Sequence, residues 1–249
     1  MFNQNPYDQN RSEVREQGPG TTTYGYAPGA GPIAGAVPRE GFLTAAFVWM
    51  FLALLVSAAT AAMTLASEGA LATIVEWWWM LLIAQFALVI VLSAAINRMS
   101  STVAVLMLFV YAALTGATLS VIVLSFTVAS VTSAFIGAAA IFGAAAVYGA
   151  VTRRDLTSLG GYLFVGLIGI IVASLVNIFI GGTTLSFIIG IVGVLLFTGL
   201  TAWDVQRIKS GRMGWVQNAQ NASVVGALSL YLDFINLFLM MLRIFGQQR

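Results

Sequence analysis

An aspartate stands in the middle of a strongly apolar stretch near the C-terminus, Leu230–Tyr231–Leu232–Asp233–Phe234–Ile235–Asn236–Leu237–Phe238–Leu239–Met240–Met241–Leu242. A carboxylate at the centre of a membrane helix costs roughly 2.5–3.5 kcal/mol on insertion scales, so it reads as functional by default, with a partner to be found. Two other ionisable residues close apolar segments and are placed to meet it: Asp204, after Ala202–Trp203, and Arg98, after Ile96–Asn97. Two carboxylates in a low-dielectric site resist double ionisation and share a proton, which makes a pH-tunable pair. The same oxygens accept a hard cation, and calcium suits flexible all-oxygen sites. Asp204 and Asp233 are therefore the candidate pH-sensing pair and the candidate calcium ligands. Asn177, Ser229 and Asn236 are supporting polar groups, and Arg98 is a latch that competes with the cation for Asp204.

Spacing supports a protein-facing role for Asp233. Gly226, Ser229, Asp233, Asn236 and Met240 recur at intervals of three and four and form one helical stripe, while Phe234, Leu237 and Phe238 point elsewhere. For each acid there is a plainer alternative. Asp204 has Arg207 three residues on, so a local ion pair at the membrane surface is open to it. Asp233 could be a structural, hydrogen-bonded carboxyl that holds helices together.

The elements that must position these residues follow from composition. The 249 residues are 59% hydrophobic and 8% charged, against roughly 25% charged in soluble domains, so the chain is expected to be an all-α polytopic membrane protein. Residues 1–38, rich in Gly, Pro, Asn, Gln, Thr and Tyr, read as a disordered tail without the pattern of a signal peptide. Residues 39–249 read as a seven-helix transmembrane domain, with apolar segments at about 42–66, 78–97, 102–126, 131–151, 159–180, 184–203 and 224–245, each near the ~20 residues a bilayer requires. The intervening stretches are read as loops. Their basic residues alternate: Arg98, then Arg153 with Arg154, then Arg207, Lys209 and Arg212, with none between Ser67 and Glu76, Thr127 and Ser130, or Gly181 and Thr183. The positive-inside rule then puts the N-terminus in the cytoplasm and Arg98 and Asp204 at the cytoplasmic face, with Asp233 ~13 Å deep in a pocket open to that side. Arg243 and Arg249 would lie outside if the last segment crosses, which leaves a re-entrant last segment open as the alternative.

Absences exclude whole classes. With no Cys and no His there are no disulfides, no zinc sites built on those ligands and no Ser-His-Asp or Cys-His catalysis. Eleven basic residues scattered among short loops are a poor match to a nucleic-acid footprint. A retinal protein would need a lysine in the last span, and the chain's lysine is Lys209. An intramembrane aspartyl protease would share the two acids, yet Asp233 follows Tyr231–Leu232 rather than the Gly-x-Gly that marks that family. No enzyme and no cofactor is expected.

The words around the two acids carry a resemblance. Leu228–Ser229–Leu230–Tyr231–Leu232–Asp233–Phe234–Ile235–Asn236–Leu237–Phe238 with Leu242–Arg243–Ile244–Phe245–Gly246, preceded by Trp203–Asp204–Val205–Gln206–Arg207–Ile208–Lys209, resembles the bacterial branch of the Bax inhibitor-1 family. Gly116–Ala117–Thr118–Leu119 and Asn177–Ile178–Phe179 add to it, and it covers about residues 40–246. The resemblance implies seven helices with the last one central and ringed by the other six. It implies a calcium leak controlled by a pH-sensing aspartate pair, matching Asp204 and Asp233, and a latching arginine, matching Arg98. The partners expected are the lipid bilayer and calcium as the permeant ion, in the cytoplasmic membrane. The alternative function is a non-transporting regulatory partner of a membrane-anchored protease or other membrane complex.

Overall fold

The computed structural model describes residues 39–213, 216 and 218–246; the tail assigned to residues 1–38 lies outside them. Eight α-helices follow one another among the described residues: α1 (Arg39–Leu65), α2 (Glu68–Glu76), α3 (Trp78–Ala95), α4 (Ser101–Leu124), α5 (Val128–Val151), α6 (Leu159–Ile180), α7 (Thr183–Lys209) and α8 (Ala219–Phe245). All but α2 are long and apolar enough to cross a membrane, so the all-helical, seven-span expectation holds.

The helix ends are written locally. The side chains of Ser67, Ser100, Thr127 and Asn218 accept hydrogen bonds from the first-turn amides of α2, α4, α5 and α8, satisfying N–H groups that a helix start leaves free. Gly181, at φ +67°, ends α6 in the left-handed conformation that favours glycine. Two boundaries differ from expectation. The stretch from Ser67 to Glu76 is a short helix rather than a loop, because the Ser67 cap and Glu68 in the first turn favour one. The last helix starts at Ala219, five residues early, since Asn218 caps a polar first turn that hydropathy alone does not mark.

The last helix is the core. Four-fifths of α8's most apolar window is buried, 78%, against 11% for α3 and 6% for α6, and all of the others reach 50% at most. Its main neighbours are α1, α4, α5 and α7; α3 packs chiefly on α4, and α6 on α7. The ring around α8 is thus made by four helices, with α3 and α6 standing outside it. An unbroken helix of 27 residues is about 40 Å long, so α8 is long enough to cross a hydrocarbon core of about 30 Å without a break.

Small residues set the close contacts, as helix packing in lipid requires. A Cβ on Gly149 would overlap the Ala202 carbonyl of α7, and one on Gly116 the Ser57 carbonyl of α1. Gly190 and Gly193 lie against Arg243, Ile244 and Met240 of α8, whereas Gly143 faces open space.

Candidate functional site

The register of α7 against α8 places the two acids. Gly226 packs on Ile208, Gly193 on Met240 and Gly190 on Arg243, a single antiparallel alignment in which Asp233 comes level with Thr201. Asp204 is then three residues, about 4.5 Å of helix rise, nearer the α7–α8 connection. Consistent with this, the Asp233 carboxyl interacts with the Thr201 hydroxyl, with Asp204 and with Arg207. Thr201 lies eight residues, about 12 Å, from the end of α7, close to the depth read from the sequence. Both acids are buried, at 6% exposure for Asp204 and 5% for Asp233.

Both also line one cavity of about 800 Å³. Ser229 and Asn236 line it too, so the sequence stripe on α8 does face a shared space. The half-buried positions of α8 between Leu228 and Ile244 are Ser229, Leu232, Asn236, Leu239 and Arg243, at the same three-and-four spacing. The wall opposite comes from α3 and α6, with Gln85, Phe86, Leu175 and Ile178 among its members. Asn177 lies elsewhere, at the α6–α7 turn, with its Oδ1 buried near Gly182.

Arg98 is not brought to the pair. It is exposed at the end of a 3-10 turn, Ile96–Arg98, nine residues or about 13 Å beyond Val89, the α3 residue on the cavity wall nearest to it in sequence. That turn is held at the end of the bundle by Asn221 of α8, whose amide donates to the Ile96 and Met99 carbonyls at 2.8 and 3.0 Å. The cavity runs the other way, toward the end of the bundle where α3 begins and α6 and α8 finish. Asp204 instead pairs with Arg207 on its own helix at 3.3 Å, the plainer alternative open from the sequence. The Arg207 guanidinium is stacked over the Trp203 ring, 4.6 Å from its centroid, a cation–π placement that fixes it beside the acid. Among the described residues Asp204 Oδ1 and Asp233 Oδ2 are buried without a hydrogen-bond partner, and no group of three or more acidic ligands surrounds them.

Several members of the site escaped the sequence reading. Gln85 of α3 lines the cavity and its Nε2 donates to Thr118 at 2.6 Å, while the Thr115 hydroxyl donates to its Oε1 at 3.2 Å. The lone side-chain amide of α3, which is otherwise apolar but for Ser93, was the available signal, since polar groups in membrane helices mark interhelical contacts. Tyr111, also on the wall, stacks edge-to-face with Tyr231, whose hydroxyl sits 2.7 Å from Ser57.

Around the α7 end the connecting chain forms a strap. Gln206 accepts from the Leu156 amide at 2.8 Å and donates to the Arg154 carbonyl at 2.7 Å, and Lys209 donates to the Ala150 carbonyl at 2.6 Å. Arg212 pairs with Asp155 at 2.8 Å and also donates to Thr157. Hydrogen bonding from the Thr157 side chain, and then from Arg212, holds the Asp155 carboxyl below the usual carboxylate range. Because the depressed group stabilises the strap only when ionised, its contribution is present above about pH 4 and is lost as the pH falls further. Hydrogen exchange at the Leu156 and Thr157 amides is therefore expected to stay constant between about pH 5 and 8 after correction for intrinsic rate, and to be faster in Asp155→Asn. Equal protection in that variant would show that the strap is held without the Asp155 charge, by Gln206, Lys209 and the Arg212–Thr157 bond.

Seven helices long and apolar enough to cross a membrane, the last of them buried among the others, with two carboxylates from adjacent helices lining one cavity, define a polytopic membrane protein with an acidic pair at its centre. Residues 39–249 match the family described as "Inhibitor of apoptosis-promoting Bax1", and the chain belongs to that family, the Bax inhibitor-1 family. It is 44% identical over 224 residues to "Inner membrane protein YbhL" of Escherichia coli, covering 85% of this chain and 95% of the relative. An uncharacterized protein of Deinococcus radiodurans is 40% identical over 205 residues, 82% and 89% of the two chains. An uncharacterized membrane protein of Streptococcus pyogenes is 44% identical over 167 residues, 66% and 71%.

Proposed function

We propose that the chain is a passive, pH-modulated calcium leak of the cytoplasmic membrane, in which Asp204 and Asp233 form the shared proton and cation site. The observation that carries the reading is the pair itself: two buried carboxylates from neighbouring helices on one wall of an intramembrane cavity. Such a pair binds either protons or a hard cation, and each excludes the other electrostatically. Ser229 and Asn236 offer further oxygens on the same wall. The basic connections Arg153–Arg154 and Lys209–Arg212 are strapped together at one end of the bundle, and that end is assigned to the cytoplasm by the positive-inside rule.

In this reading Arg207, through its 3.3 Å pair with Asp204, takes the latching role that the sequence assigned to Arg98. Arg207 is partly exposed while Asp204 is buried, so the pair is set at the upper end of a surface pair, about 1 kcal/mol, equivalent to roughly fivefold. Arg207→Gln is expected to raise basal flux by about two- to fivefold, and Arg98→Ala to leave it unchanged. The reverse pattern returns the latch to Arg98. The reading as a whole is tested with vesicles carrying the purified chain and an internal calcium dye. Influx is expected to exceed that of empty liposomes and to change between about pH 5 and 8, where no His is present to titrate. Influx indistinguishable from empty liposomes across that range rules the leak out.

A further inference from the structure

The cavity has a second character that the acidic pair does not use. Apart from its polar floor on α7 and α8, and Gln85 and Ser174 on its walls, its lining is mainly apolar, and its far wall is built from the two helices outside the ring, α3 and α6. Phe86 of α3 and Ile178 of α6 line it while remaining 72% and 66% exposed, so the space opens sideways between these helices, where the surroundings are hydrocarbon. Its volume falls within the roughly 300–1,000 Å³ of ligand-sized cavities.

At the end of this space stands Arg243. It lines the cavity, is half-buried, and has no ion pair among the described residues. Its level on α8 is that of Gly190, seven residues or about 10 Å inside the start of α7. With α7 about 40 Å long and the hydrocarbon about 30 Å thick, that level is within a side-chain length of the headgroups, which an arginine reaches by snorkelling. A guanidinium is suited to a phosphodiester through paired N–H donors.

We propose that the side opening is a binding site for one anionic phospholipid of the leaflet at the C-terminal end of α8, with its phosphate on Arg243 and one acyl chain between α3 and α6. The occupant is a lipid because the opening faces the bilayer, and an anionic one because the mouth carries a cation that is in no ion pair among the described residues. The chain covers the apolar half of the cavity and shields the carboxylates from open hydrocarbon. This assignment does not depend on the calcium-leak reading.

The test is native mass spectrometry of the full chain extracted from vesicles of phosphatidylcholine containing a minor fraction of phosphatidylglycerol. The wild type is expected to retain one phosphatidylglycerol with about fivefold preference over its share of the vesicle lipid, the factor that one basic residue near a lipid surface supplies. Arg243→Gln is expected to lose the preference, and Arg243→Lys to keep part of it. Ser174→Trp, which fills the wall on α6, is expected to lose retention of both lipids. Equal retention of the two lipids by the wild type, retention of detergent alone, or an unchanged preference in Arg243→Gln each overturns the proposal. If Arg243→Gln does not yield folded protein, the wild-type preference and the Ser174→Trp result decide it.

Discussion

Replacing Asp233 by asparagine is expected to flatten the pH dependence of calcium influx into vesicles and to lower influx at neutral pH by about tenfold or more. Asparagine has nearly the same size, and the level Thr201 hydroxyl keeps its own bond to the Phe197 carbonyl, so helix packing around α8 is preserved. What it removes is the charge and the exchangeable proton. Unit charges 4 Å apart attract by about 4 kcal/mol at an effective dielectric of 20, and only about 1.4 kcal/mol of that need be lost for a tenfold change. The other groups on the cavity wall that could respond to pH are Asp204 and Tyr111, with Arg243 fixed in charge; Arg207 stands beside the acids, also fixed in charge. Tyrosine titrates far above neutrality, so the two acids alone are left to carry the response. Asp204→Asn should flatten the profile equally, and the double variant should be no flatter than either single one, because a shared proton needs both groups. Full pH dependence in either single variant would move the sensor elsewhere in the chain.

How much of this was legible in the sequence depends on the kind of signal. The seven spans were, since each is a long apolar run and little else competes with the cost of exposing a helix backbone to lipid. The acidic pair was legible for the same reason, as charge is so expensive there. Its immediate partner was only half legible. Arg207 and Arg98 were both near Asp204 by segment, and what separates them is tertiary: Asn221 ties the Arg98 turn to the start of α8, while Trp203 holds Arg207 beside the acid. A pocket holding the acids was expected, open to the face that carries Arg98, but the walls and direction of the actual cavity were not legible. It arises because α3 leans on α4 and α6 on α7, leaving room between them, and no periodicity within one helix reports the packing of two others. The early start of α8 was missed because Ala219–Gln220–Asn221–Ala222–Ser223 is polar, and a hydropathy reading stops where a cap and helix geometry continue.

The second large effect is expected from a residue with no chemistry. Gly116→Ala should destabilise the bundle by about 1–3 kcal/mol, the usual range for forcing an extra group into a packed core. A Cβ there would overlap the carbonyl of Ser57, and both partners are backbone, so neither side chain can rotate away. The α1 and α4 backbones would have to separate. Ser57 is also where three helices meet: its hydroxyl donates to the Ala112 carbonyl of α4 at 2.7 Å and lies 2.7 Å from the Tyr231 hydroxyl of α8, which is left to donate to it. Moving Ser57 therefore strains a buried hydrogen bond on the very helix that carries Asp233, two residues further on. Gly143→Ala provides the matched control, since nothing lies within 4 Å of its added methyl and alanine is favoured over glycine in a helix by up to about 1 kcal/mol. Thermal unfolding in detergent should separate the two variants, with Gly116→Ala lower than wild type and Gly143→Ala equal or higher. If both unfold together, α1 and α4 are not held at the distance that Gly116 sets, and the Ser57–Tyr231 bond does not report on the packing of α8.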